Sequence, residues 1–292
     1  PKKEDIEQNW WVVDADGKPL EGAQISVQMK RHAFAFGSAV AAQKLLMDTP
    51  DGQKYRDSIK RMFNRVVLEN DLKWPGWEAD PKRALDAVKW LREQDIEVRG
   101  HCLVWPSWRH MPKDVPALKT DPKKLAARVA DHVTQEVTAL RGQLVDWDVI
   151  NEPFSNHDLM DLLGKQVMID WFKLARAADP KVKLYINDYG ILSGGGRDER
   201  HQDHYFQTIK YLLDNGAPLD GIGLQSHFGS SMTPPQRMLQ ILDRFASFGK
   251  PLQSTEFDIN SNDEQLQADF TRDFMVTLFS HPQVEGILMW GF

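Results

Sequence analysis

Hydrophobic and polar positions follow a repeating programme from residue 34 to the end of the chain. Short apolar runs fall at residues 34–40, 63–70, 97–105, 146–153, 183–190, 221–227, 251–258 and 286–292. Runs of that length, bounded by turn residues, read as strands buried on both faces. Between them apolar residues recur at helical spacing. Residues 83–94 carry Leu85, Val88 and Leu91, with Trp90 widening the stripe, and residues 123–140 carry Leu125, Val129, Val133 and Val137. Further helices are predicted over 55–62, 165–178, 198–215, 234–248 and 264–280, with Asp121-Pro122 as a start signal and Asn215-Gly216 as a stop. Strands alternating with helices in this way are the pattern of an α/β (β/α)8 TIM barrel. An open doubly wound sheet is the structural alternative, but no glycine-rich phosphate loop follows the first strand.

Residues 1–31 stand outside that repeat. They carry a hairpin-like signal, Trp11-Val12-Val13-Asp14-Ala15-Asp16-Gly17, and then alternate through Ala23-Gln24-Ile25-Ser26-Val27. A segment so short cannot bury a core of its own without disulfides or a metal. It therefore reads as a β-strand appendage packed on a barrel formed by residues 32–292, with a small carbohydrate-binding module as the alternative. At the other end the pattern stops on Gly286-Ile287-Leu288-Met289-Trp290-Gly291-Phe292, without an eighth helix. If Trp290 faces the barrel mouth, Ile287 and Met289 point outwards and are expected to lie against solvent. On that ground the natural protein is expected to continue past Phe292 with a loop and an amphipathic helix.

Polar residues gather at the ends of the predicted strands. Asn70 and Lys73 follow the second, His101 and Trp105 lie in or after the third, and Asn151 and Glu152 end the fourth. Asp188 and Tyr189 end the fifth, Gln225 and His227 close the sixth, Glu256 and Asp258 the seventh, and Trp290 lies in the eighth. Active sites of such barrels form at these carboxyl ends. Pro153 removes a ladder donor and biases Glu152 towards an extended backbone, so the fourth strand is expected to stop there. Two glutamates facing each other across a barrel mouth suit glycoside hydrolysis, in which one carboxyl group protonates the leaving oxygen and the other attacks or stabilises the anomeric carbon. Glu152 fits the first task and Glu256 the second. Asp258 shares a strand face with Glu256, and His227 on the neighbouring strand is placed to bond both. Asn151 is placed to donate to a sugar 2-hydroxyl.

Composition narrows the alternatives. The net charge of −6 argues against nucleic acid, which needs a concentrated positive face. Cys102 is the one cysteine, so no intrachain disulfide is available. No run reaches membrane-spanning length, and no signal peptide is visible in a chain that opens on Pro1. Ten tryptophans are many for this length. Trp90 and Trp171 sit on helical patterns and read as core. Trp74, Trp77, Trp105 and Trp108 lie beside loop signals and read as cleft walls that stack on sugar rings. No histidine or cysteine spacing indicates a metal, and His201 and His204 read as solvated helix surface.

The stretches Leu68-Glu69-Asn70-Asp71-Leu72-Lys73-Trp74, Gly100-His101-Cys102-Leu103-Val104-Trp105, Trp147-Asp148-Val149-Ile150-Asn151-Glu152, Gln225-Ser226-His227 and Thr255-Glu256-Phe257-Asp258 resemble glycoside hydrolase family 10, in order, from about Phe34 to Phe292. The resemblance implies a retaining endo-β-1,4-xylanase acting on xylan or xylo-oligosaccharides, with Glu152 as acid/base and Glu256 as nucleophile. It implies that Asn70, Lys73, His101, Asn151, Gln225 and His227 hold the sugar beside the cleaved bond, with Trp105 and Trp290 packed around it and Tyr189 among the binding residues. A monomer without cofactor, secreted or periplasmic, is the matching expectation. Two positions depart from the family, which usually has Thr at Cys102 and a second His at Pro106. A barrel glycosidase for another β-linked glycan and a catalytically silent sugar-binding protein are the competing readings.

Overall fold

The structure is a computed structural model that describes residues 12–292. One compact unit ends at Phe34 and the other comprises Ala35–Phe292. In the first, Val13 bridges Pro19 in antiparallel fashion, and Asp14 caps the turn by accepting from the Asp16 and Lys18 amides at 2.9 Å. Ala23 to Val27 join no ladder among the described residues. Two paired strands alone are marginal, so alternation there does not suffice for a ladder. Trp11, the start of the predicted hairpin, lies outside the described residues.

The second unit is the barrel. Its strands are β1 (Ala35–Val40), β2 (Arg65–Leu68), β3 (Glu97–Gly100), β4 (Asp146–Asn151), β5 (Lys183–Asp188), β6 (Gly221–Leu224), β7 (His227–Phe228), β8 (Leu252–Ile259) and β9 (Val284–Met289). All pairings are parallel, running from β1 to β6 in chain order, then β6 to β8, β8 to β9, and β9 back to β1. The short β7 continues the sixth barrel strand and pairs with β8 through His227 and Asp258. Ser226 separates β6 from β7 with φ of 73°, in the left-handed region that costs a side-chain-bearing residue energy. The predicted strand 221–227 is thus interrupted after Leu224, and His227 opens the separate short strand β7.

The helices are α1 (Ala42–Leu45), α2 (Pro50–Met62), α3 (Trp74–Ala79), α4 (Pro81–Glu93), α5 (Pro122–Ala139), α6 (Asp158–Leu163), α7 (Gln166–Ala178), α8 (Glu199–Asp214), α9 (Pro235–Ala246) and α10 (Glu264–Ser280). The long ones start as the sequence dictates. Thr49, Asp80 and Asp121 cap α2, α4 and α5 by accepting from the amides of Gly52, Arg83 and Lys124, each with proline in the first turn. The short α1, α3 and α6 were not anticipated, because one or two turns leave no readable period. In α3, Trp74 is buried and stacks on His132 of α5 at 4.2 Å, so it packs the barrel wall rather than lining a cleft. His132 in turn lies 2.8 Å from the Leu103 carbonyl, tying α5 to the segment after β3.

The barrel interior is apolar in part. Ala39, Val67 and Leu288 form one buried cluster beneath Trp290. Beside it lies a charged layer in which Arg99, 1% exposed, pairs with both oxygens of Asp148 and donates to Gln253 at 2.8 Å. Burial opposes the Asp148 carboxylate, but Arg99 and a hydrogen bond from His101 hold it below the usual carboxylate range. On the last strand, Ile287 is 2% exposed and Met289 is half-buried. The expectation that both lie against solvent is therefore corrected. The reason is that α10 packs on β9, while β1 and β8 flank Ile287 on either side.

Candidate active site

Glu256 lies within β8, in the stretch where the register with β9 shifts between Ser254 and Phe257, and is 4% exposed. Its Oε1 accepts from Asn187 Nδ2 at 2.8 Å, and its Oε2 stands 3.2 Å from His227 Nε2. The other ring nitrogen of His227 is 2.8 Å from Asp258. Burial works against a charged imidazole, yet the bonds to Asp258 and Glu256 outweigh it and raise His227 to about 10. At neutral pH His227 is therefore a cation that donates to both carboxylates. Gly223 makes room for this arrangement, since a Cβ there would lie 2.4 Å from Asn187 Oδ1.

Glu152 is held differently. The strand ends at Asn151, and Glu152 turns out of it with φ of 55°. This corrects the expectation of an extended backbone before Pro153. A left-handed glutamate is strained and persists only where its surroundings fix it. They do so here: the Glu152 amide donates to the Asn187 carbonyl at 2.8 Å, and three side chains donate to its carboxylate. Trp105 Nε1 and Asn156 Nδ2 each reach Oε2 at 3.1 Å, and Gln225 Nε2 reaches Oε1 at 2.9 Å.

A bridge of amides joins the two glutamates. Gln225 Nε2 lies 2.9 Å from Glu152 and 3.2 Å from Asn151 Oδ1, which also accepts from Asn187 Nδ2 at 3.0 Å. Asn187 then donates to Glu256. An aromatic rim surrounds this floor. Lys73 donates to Asn70 at 3.1 Å and stands over the rings of Trp105 at 5.4 Å and Trp290 at 5.7 Å. His101 and His227 meet Trp290 edge-on, at 5.3 and 6.2 Å. His101 Nδ1 is fixed by Asp148 at 2.8 Å, which turns the opposite ring nitrogen away from the charged layer.

Of the sequence-predicted residues, the structure gathers Asn70, Lys73, His101, Trp105, Asn151, Glu152, Gln225, His227, Glu256, Asp258 and Trp290 at this mouth. Tyr189 lies just past β5, edge-on to His201 at 4.7 Å. His201 is not solvated surface: it is 1% exposed and 3.2 Å from Asp188, whose carboxyl group burial pushes up to about 6. His204 is exposed. The sequence reading passed over Asn187, Asn156, Asp148 and Arg99. Asn187 carried a signal in its alternation with Tyr185 on β5, whereas Asn156 sits in a loop that carries none.

The two departures are also placed. Cys102 is buried, and its thiol is pushed well up by that burial, so it is an inert packing group. Pro106 leaves no imidazole of its own, but His110 lies flat on Trp105 with ring centroids 3.5 Å apart. Burial, then Arg109 and Lys73, pull His110 down to about 4, so it is neutral there. Among the described residues no group of three or more His, Cys, Asp or Glu is placed to hold a metal ion, and no helix is long and apolar enough to cross a membrane.

Comparison with known proteins bears on this geometry. The chain is 32% identical over 289 residues to the anti-sigma-I factor RsgI6 of Acetivibrio thermocellus, covering 96% of this chain and 36% of that protein. It is 30% identical over 283 residues to endo-1,4-beta-xylanase 1 of Arabidopsis thaliana, covering 95% of this chain and 29% of that one. The chain thus spans about a third of the length of these curated relatives. Among solved structures, xylanase 10B of Thermotoga petrophila in complex with xylobiose superposes with a TM-score of 0.80 at 26% identity, covering 89% of this chain and 83% of that one. The family model for glycosyl hydrolase family 10 matches residues 25–292, and the chain belongs to that family.

Proposed function

We propose that this chain is a retaining endo-β-1,4-xylanase module, with Glu256 as nucleophile and Glu152 as acid/base. The observation that carries the reading is the pair of glutamates at one barrel mouth, joined through Gln225, Asn151 and Asn187. Glu256 forms the new bond to the anomeric carbon as the bond to the leaving oxygen breaks, and Glu152 supplies the proton that oxygen needs. Glu152 then takes a proton from water, whose oxygen displaces Glu256 and regenerates both groups. His227, bonded to Asp258 and Glu256, fixes the rotamer of the attacking carboxylate. The buried Asn151 amide nitrogen lacks a protein partner and is free to donate to a sugar hydroxyl. Trp105, Trp290 and Lys73 shape the wall against which the ring packs.

The named xylanases among the relatives support xylan as the polymer. Xylose lacks the C6 hydroxymethyl group, so a glucan would need room at that carbon that a xylan chain leaves unused. Proton NMR of the first product released from an aryl β-xylobioside tests the chemistry. The β anomer is expected; the α anomer would mean inversion and a wider carboxyl pair than the ~5–5.5 Å that retention needs. A second reading, a binding module without turnover, is kept alive by the similarity to a protein named as an anti-sigma factor. Turnover on purified xylan, set against mixed-linkage β-glucan, separates hydrolase from binding module and xylanase from glucanase.

A further inference from the structure

The Glu152 carboxylate is not held evenly. Oε2 receives two N–H donors, from Trp105 and Asn156, and Oε1 receives one, from Gln225. Asn156 is 1% exposed and lies four residues past Glu152, where its backbone amide also donates to the Glu152 carbonyl at 3.1 Å. Its side-chain nitrogen reaches that same carbonyl at 3.3 Å and Ser155 Oγ at 3.0 Å. Its side-chain oxygen accepts from Arg109 Nη2 at 3.2 Å. An amide can be turned end for end with little change in shape, so what fixes its direction matters. Turned the other way, Asn156 would set its oxygen against the Glu152 carboxylate and its NH2 against the guanidinium. Arg109 therefore locks the donor end onto Glu152. Arg109 is steadied in turn by donating from Nε to His110 Nε2 at 2.9 Å, an acceptor that exists only on a neutral imidazole.

From this geometry we propose that Asn156, locked by Arg109, is a positioning residue that commits Oε2 of Glu152 to accepting and leaves Oε1 as the edge that gives and takes the proton. A proton on Oε2 would compete with two N–H donors at once. Trp105 Nε1 has no second acceptor among the described residues, while Asn156 would fall back on the neutral Ser155 Oγ and Glu152 carbonyl. On Oε1 it meets only Gln225, which keeps Asn151 Oδ1 as a second acceptor at 3.2 Å. The carboxyl group is thus presented to the leaving oxygen by one face. The proposal rests on the assignment of Glu152 as acid/base, and goes beyond it by naming what aims the proton.

The test compares kcat/KM on two aryl β-xylobiosides, because that ratio reports the first bond cleavage alone. The phenyl glycoside needs a proton on its leaving oxygen and the 2,4-dinitrophenyl glycoside does not. Asn156→Ala is expected to lower the phenyl value by about 10- to 100-fold, a share of what a general acid contributes, while the dinitrophenyl value falls far less. Arg109→Ala is expected to show the same selectivity at a smaller size, about 3- to 10-fold. Asn156→Asp keeps the shape and replaces the donor by an acceptor, so it should lose at least as much as Asn156→Ala without a loss of fold by circular dichroism. Equal losses on both glycosides, or an unimpaired Asn156→Asp, would overturn the proposal. Glu152→Ala is the control. If it lacks the same selectivity and is not rescued by azide, the acid/base assignment itself falls; if it shows both and Asn156→Ala does not, only the positioning role falls.

Discussion

The two sides of the barrel mouth hold their glutamates by different means. On one side Glu256, His227, Asp258 and Asn187 all stand on β-strands, with His227 paired to Asp258 and Asn187 to Gly223 in the parallel ladder. On the other, Glu152 leaves its strand at a left-handed turn and is held by Trp105 and Asn156, which both lie in loops. The difference matches the tasks proposed for them. A nucleophile must meet one carbon atom along one line, which favours a rigid frame. An acid/base must serve first a sugar oxygen and then a water, and a carboxyl group on a turn, oriented by side chains, can present one edge to both.

Deleting each glutamate is the largest perturbation of this contrast. Glu256→Ala is expected to reduce turnover of every substrate, on the order of 10⁶-fold by analogy with loss of other covalent nucleophiles. Glu152→Ala is expected to cost roughly 10²- to 10⁴-fold where the leaving group needs a proton, and far less where it does not. Azide should restore turnover of Glu152→Ala on a dinitrophenyl β-xylobioside and give the β-azide. An azide product of that configuration from Glu256→Ala instead would reverse the assignment of the two sides.

Next in size come the groups that hold each glutamate. His227→Ala frees one oxygen of Glu256 and should lower kcat roughly 10²-fold, with a smaller rise in KM, because misplacing an attacking atom costs about that much. Trp105→Phe removes one of three donors to Glu152 while keeping a ring, and should cost about 5- to 10-fold. Steady-state kinetics on xylohexaose measures both. If Trp105→Phe proved the costlier change, the loop-borne side would be the more tightly specified one, and the comparison would have to be turned round.

The strand-borne side was also the more legible in the sequence. Runs buried on both faces announce the strands, and a carboxyl group where such a run breaks announces a site, which is how Glu256 and Glu152 stood out. Parity within a run was harder. Asn187 and Asp188 are adjacent, and only the pairing of Asn187 with Asn151 and Gly223 shows that Asn187 faces the mouth while Asp188 faces His201. Arg99 and Asp148 were hidden because each sits inside an apolar run and is neutralised by the other, a partnership no local pattern reveals. Asn156 belongs to a loop and His110 to the single 3-10 turn Trp108–His110, where neither helical period nor pleat applies. The interruption at Ser226 was invisible for the same reason: alternation cannot register a residue that leaves the ladder.

The smallest effect expected is thermodynamic, and it distinguishes the two sides by charge alone. His227 is raised from its ordinary value of 6.5 to about 10 because its bonds to Asp258 and Glu256 outweigh its burial. Below about pH 6.5 the imidazole is charged in folded and unfolded chains alike, so its bonds contribute in full. As pH rises further, the unfolded chain releases the proton first, the folded chain keeps it until about pH 10, and the contribution is lost across that window. The melting temperature of His227→Ala should therefore lie furthest below that of the parent near pH 6, and the gap should narrow steadily towards pH 9.5. Trp105→Phe removes a donor that does not titrate, so its gap should stay level over the same range. Calorimetry of the three proteins at matched ionic strength makes the comparison. A His227→Ala gap as level as that of Trp105→Phe would mean that the imidazole is neutral in the folded protein, and that His227 holds Glu256 by an ordinary hydrogen bond rather than as a shared cation.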